Sequence, residues 1–335
     1  MVFLLASRNP AKSEDHLRQT GGAHPYCSCA YNTMKAIERI APDVGWLPIS
    51  FVNAYFIGRP GSAWVLIDTG VPGRAAQIFD AAEARFGAGS RPEAIYLTHG
   101  HSDHAGSALQ LAETWDVPIY AHPMELPYLT GRSAYPPPDP TVGGAIAFLS
   151  RFMPSGPRHL EDRIQPLPEG ELQGPPGWQW IATPGHSPGH VAFFRSSDRV
   201  LLAGDAFATM NMDSWLGLVS GKKELARAGA PFAMDWSATR RSVAKLADLR
   251  PNVAGCGHGI PMSEGALPDR LQRFANRFRA PRRGRYVAMP AEVDEGGVVA
   301  LPPAPFDPVP LATAAALLIA GVALGSGYVE EQLRD

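Results

Sequence analysis

An α/β fold is predicted by three features of the chain. Short apolar runs of strand length alternate with amphipathic helical stretches, in the order β, β, α, β, α between residues 46 and 115. A second series of strand-like runs begins at Trp178 and leads into another long helical pattern at 233–249. Between these elements, histidines and aspartates fall at loop positions that directly follow strands, most densely in Thr98-His99-Gly100-His101-Ser102-Asp103-His104.

The elements can be taken in order. Ile49 to Ile57 reads as a strand, Gly58 to Gly61 as a turn and Ala63 to Ile67 as the returning strand, which is hairpin chemistry. Asp68-Thr69-Gly70 closes it. A helix is predicted from Arg74 to Phe86, with Ala75, Ile78, Phe79 and Ala82 on one face. Glu93 to Leu97 reads as a buried strand, and Ala105 to Trp115 as a helix with Ala108, Leu109, Leu111 and Ala112 in helical register. Val117 to Ala121 is another strand. Regular structure then weakens from Leu129 to Pro168, where prolines and paired glycines interrupt it, and an irregular stretch of that length is more often functional than inert. Strands resume at Trp178–Ala182, Val191–Phe194 and Val200–Ala203. A helix follows at Ala233–Leu249, a strand at Asn252–Ala254, and a helix starting near Glu264 that sets Arg270, Arg273 and Arg277 along one face, read as solvated in preference to a basic patch for substrate carboxylates.

Composition bounds the class. The 335 residues are 45% hydrophobic with a net charge of −2, enough for a sizeable core and without the basic excess of a nucleic-acid binder. Three cysteines cannot form a closed set of bridges, which points to a reducing compartment. Residues 1–33 read as a disordered N-terminal extension, because Val2 to Ala6 is too short for a signal-peptide core; the catalytic domain is placed at 34–285. Residues 286–308 read as a C-terminal arm, with Arg285–Met289 and Gly297–Leu301 as a hairpin and Pro302 to Pro305 as a linker. Residues 309–335 read as an apolar helix: Leu311 to Val329 carries no charge and approaches the ~20 residues of a bilayer span. It is read either as a tail anchor or as a packed helix. As an anchor, the arginines before it keep the domain on the cytoplasmic face of the membrane, and in either case the localisation read is cytoplasmic.

The histidine cluster carries the chemistry. Imidazole and carboxylate are the ordinary ligands of divalent metals, and His99 and His101, two apart in extended chain, point to the same side. Asp103 and His104, read as opening the helix, aim at a neighbouring point. The plain alternative is a group of surface histidines with Asp103 as a helix cap. Against it, His186, Asp205 and His258 each follow a predicted strand and supply further ligands, so two adjacent metals are expected.

This succession, H-x-H-x-D-H and then His, Asp and His, resembles the metallo-β-lactamase fold superfamily over about Ile37 to Arg279, and within it the hydroxyacylglutathione hydrolase and lactonase-like branch. The resemblance implies a four-layer αββα sandwich. It also implies His99, His101 and His186 on one metal, Asp103, His104 and His258 on a second, and Asp205 bridging. The cofactors implied are two divalent ions, zinc favoured, with iron and manganese as the other candidates. Two ions ~3.5–4 Å apart lower the pKa of a shared water and polarise the oxygen it attacks. Asp103 is then the candidate catalytic residue, orienting that water and passing a proton to the leaving group. Asp68 is implied to support the site from below, and His190 to be structural.

The expectation is a binuclear hydrolase acting on an ester, thioester or lactone of a small molecule. A bridging Asp205 points away from the true β-lactamases, and Ala208 stands where lactonases of acyl-homoserine lactones carry a tyrosine. Phe207, Met212 and Trp215, on the segment after Asp205, are candidate substrate-binding residues. Two alternatives accompany this expectation. One is a mononuclear iron persulfide dioxygenase using His99, His186 and Asp205, and the other a non-catalytic, membrane-associated metal-binding protein.

Overall fold

The computed structural model describes residues 37–153, 159–160 and 163–310; the expected N-terminal extension and the apolar segment beyond residue 310 lie outside them. Seven strands, β1 (Glu38–Ala41), β2 (Val44–Ile49), β3 (Val52–Gly58), β4 (Trp64–Ile67), β5 (Ile95–Tyr96), β6 (Ile119–Ala121) and β7 (Ile164–Pro166), form one sheet in sequence order. The first four strands are antiparallel, and β4 to β7 pair in parallel. A second sheet of four strands uses β8 (Trp178–Ala182), β9 (Val191–Arg195) and β10 (Val200–Leu202). After the ribbon of β11 (Ala208–Met210) and β12 (Lys223–Ala226), it is completed by β13 (Val253–Gly255), in the order β13-β10-β9-β8. A hairpin of β14 (Glu292–Asp294) and β15 (Gly297–Ala300) ends the series.

The helices are α1 (Ala75–Phe86), α2 (Ala108–Trp115), α3 (Leu126–Leu129), α4 (Ala145–Leu149), α5 (Trp215–Ser220), α6 (Trp236–Asp248), α7 (Leu267–Arg277) and α8 (Arg285–Ala288). Strand alternation sorts the core into layers. Ala54 and Phe56 of β3, with Trp64 and Leu66 of β4, pack on Ile78, Ala82 and Leu111 of α1 and α2. Their neighbours Tyr55, Ile57, Val65 and Ile67 turn the other way, against Trp178, Val191, Phe193, Val200 and Leu202 of the second sheet. The outer face of that sheet, Ala192, Phe194 and Leu201, meets Val243, Leu246 and Leu271 of α6 and α7. The result is the four-layer αββα sandwich. Because both faces of the inner strands are covered, β3, β4 and β9 are buried throughout and read as nearly continuous apolar runs rather than alternating ones.

Three expectations are corrected. The run from Ile49 to Ile57 is two strands, since Ser50 takes φ 60 and makes a two-residue turn with Phe51 that pairs Ile49 with Val52. The helix after the histidine cluster starts at Ala108 rather than Ala105. The intervening residues are held in turns because the His104 carbonyl accepts from Thr69 N at 2.7 Å and Gly106 N donates to the Gly70 carbonyl at 3.0 Å. Asp103 and His104 therefore precede the helix and do not open it. At the C-terminus, residues 285–288 are helical, and the hairpin uses 292–294 with 297–300. The reason is tertiary: Arg285 N donates to Asp139, and the buried Tyr286 donates its hydroxyl to the Pro137 carbonyl at 2.9 Å.

Residues 286–308, read as an arm and linker, lie against the irregular stretch of the domain. Val298 N donates to Ser133 Oγ at 3.2 Å, and Arg151 pairs with Asp307 at 2.8 Å. Among the described residues no helix is long and apolar enough to cross a membrane.

Candidate metal centre

The seven candidate ligands all follow strand ends at one edge of the sandwich. His99, His101, Asp103 and His104 come after β5, His186 after β8, Asp205 after β10 and His258 after β13. They form three overlapping clusters: His99 with His101 and His186, His99 with His104 and Asp205, and Asp103 with His104 and His258, the donor atoms of each lying within 4.8 Å of one another. His101 Nδ1 is 2.9 Å from His99 Nε2 and 3.0 Å from His186 Nε2. Asp205 Oδ2 stands between the clusters, 3.2 Å from His258 Nε2, 3.5 Å from His186 Nε2 and 3.6 Å from His104 Nε2. Asp103 Oδ2 is 3.4 Å from His258 Nε2.

The donor set fits cations. Buried His104 Nε2 and Asp205 Oδ1 have no hydrogen-bond partner, a costly state for buried polar atoms unless something outside the chain completes them. Gly257 keeps the place open: a Cβ there would lie 2.1 Å from Asp205 Oδ1 and 2.5 Å from His104 Cε1.

Electrostatics prepare the lone pairs. Burial, reinforced by the neighbouring imidazoles, pushes His99 well below its usual 6.5; burial likewise pushes His186 well below it and His101 to about 4. These rings are neutral and free to donate. Burial opposes protonation of His104 and His258 too, but Asp205 and the other carboxylates overcome it and raise both. Burial likewise opposes ionisation of Asp205, yet His258 and His104 hold its carboxyl well below the usual range.

The far nitrogens of the rings are fixed from behind, which sets ring orientation. His104 Nδ1 meets Asp68 Oδ2 at 2.8 Å, and the other Asp68 oxygen accepts from Thr98 N. Asp68 itself sits at φ 57, so it both makes the turn after β4 and supports the site. His258 Nδ1 donates to the Phe51 carbonyl at 2.8 Å, and His99 Nδ1 lies 3.1 Å from Thr98 Oγ1. His190 accepts from Asp205 N at 2.8 Å through Nε2 and meets Thr183 Oγ1 through Nδ1, so it fixes the backbone of Asp205.

A cavity of about 330 Å³ opens over this centre. His101, Asp103, His186, Asp205 and His258 form its floor, and Phe51, Val71, Tyr135, Ile146, Met153, Met212 and Phe232 are among its walls. Of the three substrate residues proposed from sequence, only Met212 lines it. Phe207, 0% exposed, turns into the core beside Phe274, and Trp215, 56% exposed, projects from α5 next to Phe148.

Sequence reasoning missed Glu125 as well as Phe51, Tyr135 and Phe232. Glu125 is fully buried after β6; it accepts from Gly100 N and the Tyr135 hydroxyl through one oxygen, and from Ser187 Oγ and Gly189 N through the other. Its signal was a single carboxylate immediately before the apolar Leu126-Pro127-Tyr128-Leu129.

The sequence profile of the metallo-beta-lactamase superfamily matches residues 47–258, which contain all seven candidate ligands. The chain is 42% identical over 242 residues to the probable metallo-hydrolase YflN of Bacillus subtilis, covering 71% of this chain and 92% of that one. It is 30% identical over 113 residues to the hydroxyacylglutathione hydrolase GloC of Haemophilus influenzae, 33% of this chain and 48% of that one. Among solved structures, a beta-lactamase domain protein from Burkholderia ambifaria superposes with a TM-score of 0.51 at 19% identity, covering 75% of each chain. Profile, relatives and layer order agree: the chain belongs to the metallo-β-lactamase superfamily.

Proposed function

We propose that the protein is a binuclear metal-dependent hydrolase of a small-molecule ester, thioester or lactone. The observation that carries this reading is Asp205 Oδ2, which lies 3.2–3.6 Å from imidazoles belonging to both halves of the centre. On this reading His99, His101 and His186 hold one ion, Asp103, His104 and His258 the other, and Asp205 serves both; zinc is favoured, with iron and manganese as alternatives. When bound, such a pair lowers the pKa of a water and polarises the carbonyl that it attacks. Asp103 is the part-exposed carboxylate of the floor, with 24% of its side chain accessible against 3% for Asp205. It accepts a proton from the attacking water and returns it to the leaving group. His190 and Asp68 keep Asp205 and His104 in place during turnover, and the apolar walls limit competing water. The names of the two relatives, a probable metallo-hydrolase and a hydroxyacylglutathione hydrolase, support the reaction class.

A mononuclear iron dioxygenase would use His99, His186 and Asp205 and leave the Asp103, His104 and His258 cluster without a task. Metal analysis of the purified protein alongside an ester and thioester panel tests the proposal. About two equivalents of metal with hydrolysis are expected; one iron with oxygen uptake on a persulfide would overturn it.

A further inference from the structure

We infer that the substrate is uncharged, an ester or lactone whose acyl or alcohol part is aliphatic or aromatic, and not an anionic conjugate of the glutathione type. The inference rests on the hydrolase reading and narrows its substrate. Phe51 lies parallel to His258, with ring centroids 6.0 Å apart, and Phe232 lies 5.8 Å from the ring of His101, so an aromatic side chain flanks each end of the floor. Ile146 and Met212, packed in one apolar cluster, line the cavity with them.

Among the described residues that line the cavity there is no lysine or arginine. Among these described residues side-chain hydroxyls come only from Ser102 and Tyr135, and the Tyr135 hydroxyl is already given to Glu125. Two arginines of the surrounding segments are likewise engaged, Arg227 with Asp213 at 2.6 Å and Arg151 with Asp307 at 2.8 Å. A carboxylate remote from the reacting bond would lose its hydration against these walls and gain no cationic partner among the described lining residues, which is costly. Glutathione carries two such carboxylates, and sites that hold them need cationic side chains. An apolar chain loses nothing on entry. The volume, near the lower end of the roughly 300–1,000 Å³ typical of ligand pockets, suits a chain of moderate length.

The reaction is a balanced hydrolysis. Water oxygen bonds to the acyl carbon, the acyl–oxygen bond breaks, one water proton goes to the departing alkoxide by way of Asp103, and nothing is oxidised or reduced.

The test uses the full-length, metal-loaded protein with p-nitrophenyl esters from acetate to octanoate, and with one acyl group presented both as its glutathione thioester and as an uncharged thioester. For the esters, kcat/KM is expected to rise about fourfold per added methylene until the cavity is full. The uncharged thioester is expected to exceed the glutathione thioester by about 100-fold. Phe51, 56% exposed on its turn, can be replaced without opening the core. Phe51→Ala should flatten the chain-length slope, and Phe51→Arg should raise turnover of the glutathione thioester while lowering that of octanoate. A glutathione thioester cleaved as well as or better than its uncharged counterpart overturns this inference and leaves the hydrolase reading standing. No cleavage of any ester or thioester by metal-loaded protein overturns both.

Discussion

Ser187 Oγ donates to the buried carboxylate of Glu125 at 2.7 Å, joining residues 62 apart in the chain. The other oxygen of that carboxylate accepts from Gly100 N at 2.9 Å, so one side chain ties the loop of His99 and His101 to the loop of His186. Glu125→Ala leaves the Tyr135 hydroxyl, Ser187 Oγ and Gly189 N without an acceptor, while Gly100 N keeps the Tyr135 oxygen, and should destabilise the fold by about 3 kcal/mol. Urea unfolding measures this, and a loss below about 0.5 kcal/mol would show that the loops hold each other without Glu125. Glu125→Gln keeps the shape but presents an amide to donors, and should weaken metal affinity about tenfold in a chelator competition.

Asp103→Asn should fold normally and keep substrate affinity while kcat falls about 10²- to 10⁴-fold, because the amide cannot take up a proton. Metal content has to be measured on the same sample. A fully metallated variant with unchanged kcat would remove Asp103 from the mechanism.

Gly257→Ala should abolish metal retention, since its Cβ would fall 2.1 Å from Asp205 Oδ1. Circular dichroism should show a folded protein and metal analysis a depleted one. Native metal content in this variant would mean that the Asp205 carboxylate swings aside at little cost.

Metal-stripped protein should be most stable near pH 6.5. His99, His101, His186 and His190 have folded values below 6.5, so the stability they allow is lost as pH falls below 6.5 and the unfolded chain takes up protons. His104 and His258 have folded values above 6.5; their contribution is complete below 6.5 and lost as pH rises through the folded values. Thermal melts across pH 5 to 9 should trace this maximum, and added zinc should remove the alkaline decline by taking the place of the protons. A Tm of stripped protein that climbs steadily to pH 9 would contradict the charge balance assigned to the centre.

The parts of this molecule legible in its sequence are those fixed by local chemistry. Residues 99–104 are grouped along the chain, His186, Asp205 and His258 each follow a strand, and double-sided burial made β3, β4 and β9 stand out as apolar runs. What failed depended on tertiary closure. Ser50 gave no glycine signal for its left-handed turn, so Phe51 was read as a strand residue rather than a turn tip that reaches the cavity. Phe207 and Met212 are equally apolar in sequence, and only the path of β11 sends one to the core and the other to the wall. Arg285–Ala288 carries a strand-like pattern that is overridden when Tyr286 docks on Pro137.

Each of the three ligand clusters draws two members from loops of the first sheet and one from loops of the second. The division sets a timetable for biosynthesis. A ribosome delivers His99 to His104 early, but the first cluster stays incomplete until His186 emerges, and the third until His258 has been made and β13 has joined its sheet. Such long closures form late in folding. A chain cut short before His186, or one whose two sheets have not met, therefore has no complete candidate cluster with which to hold a metal.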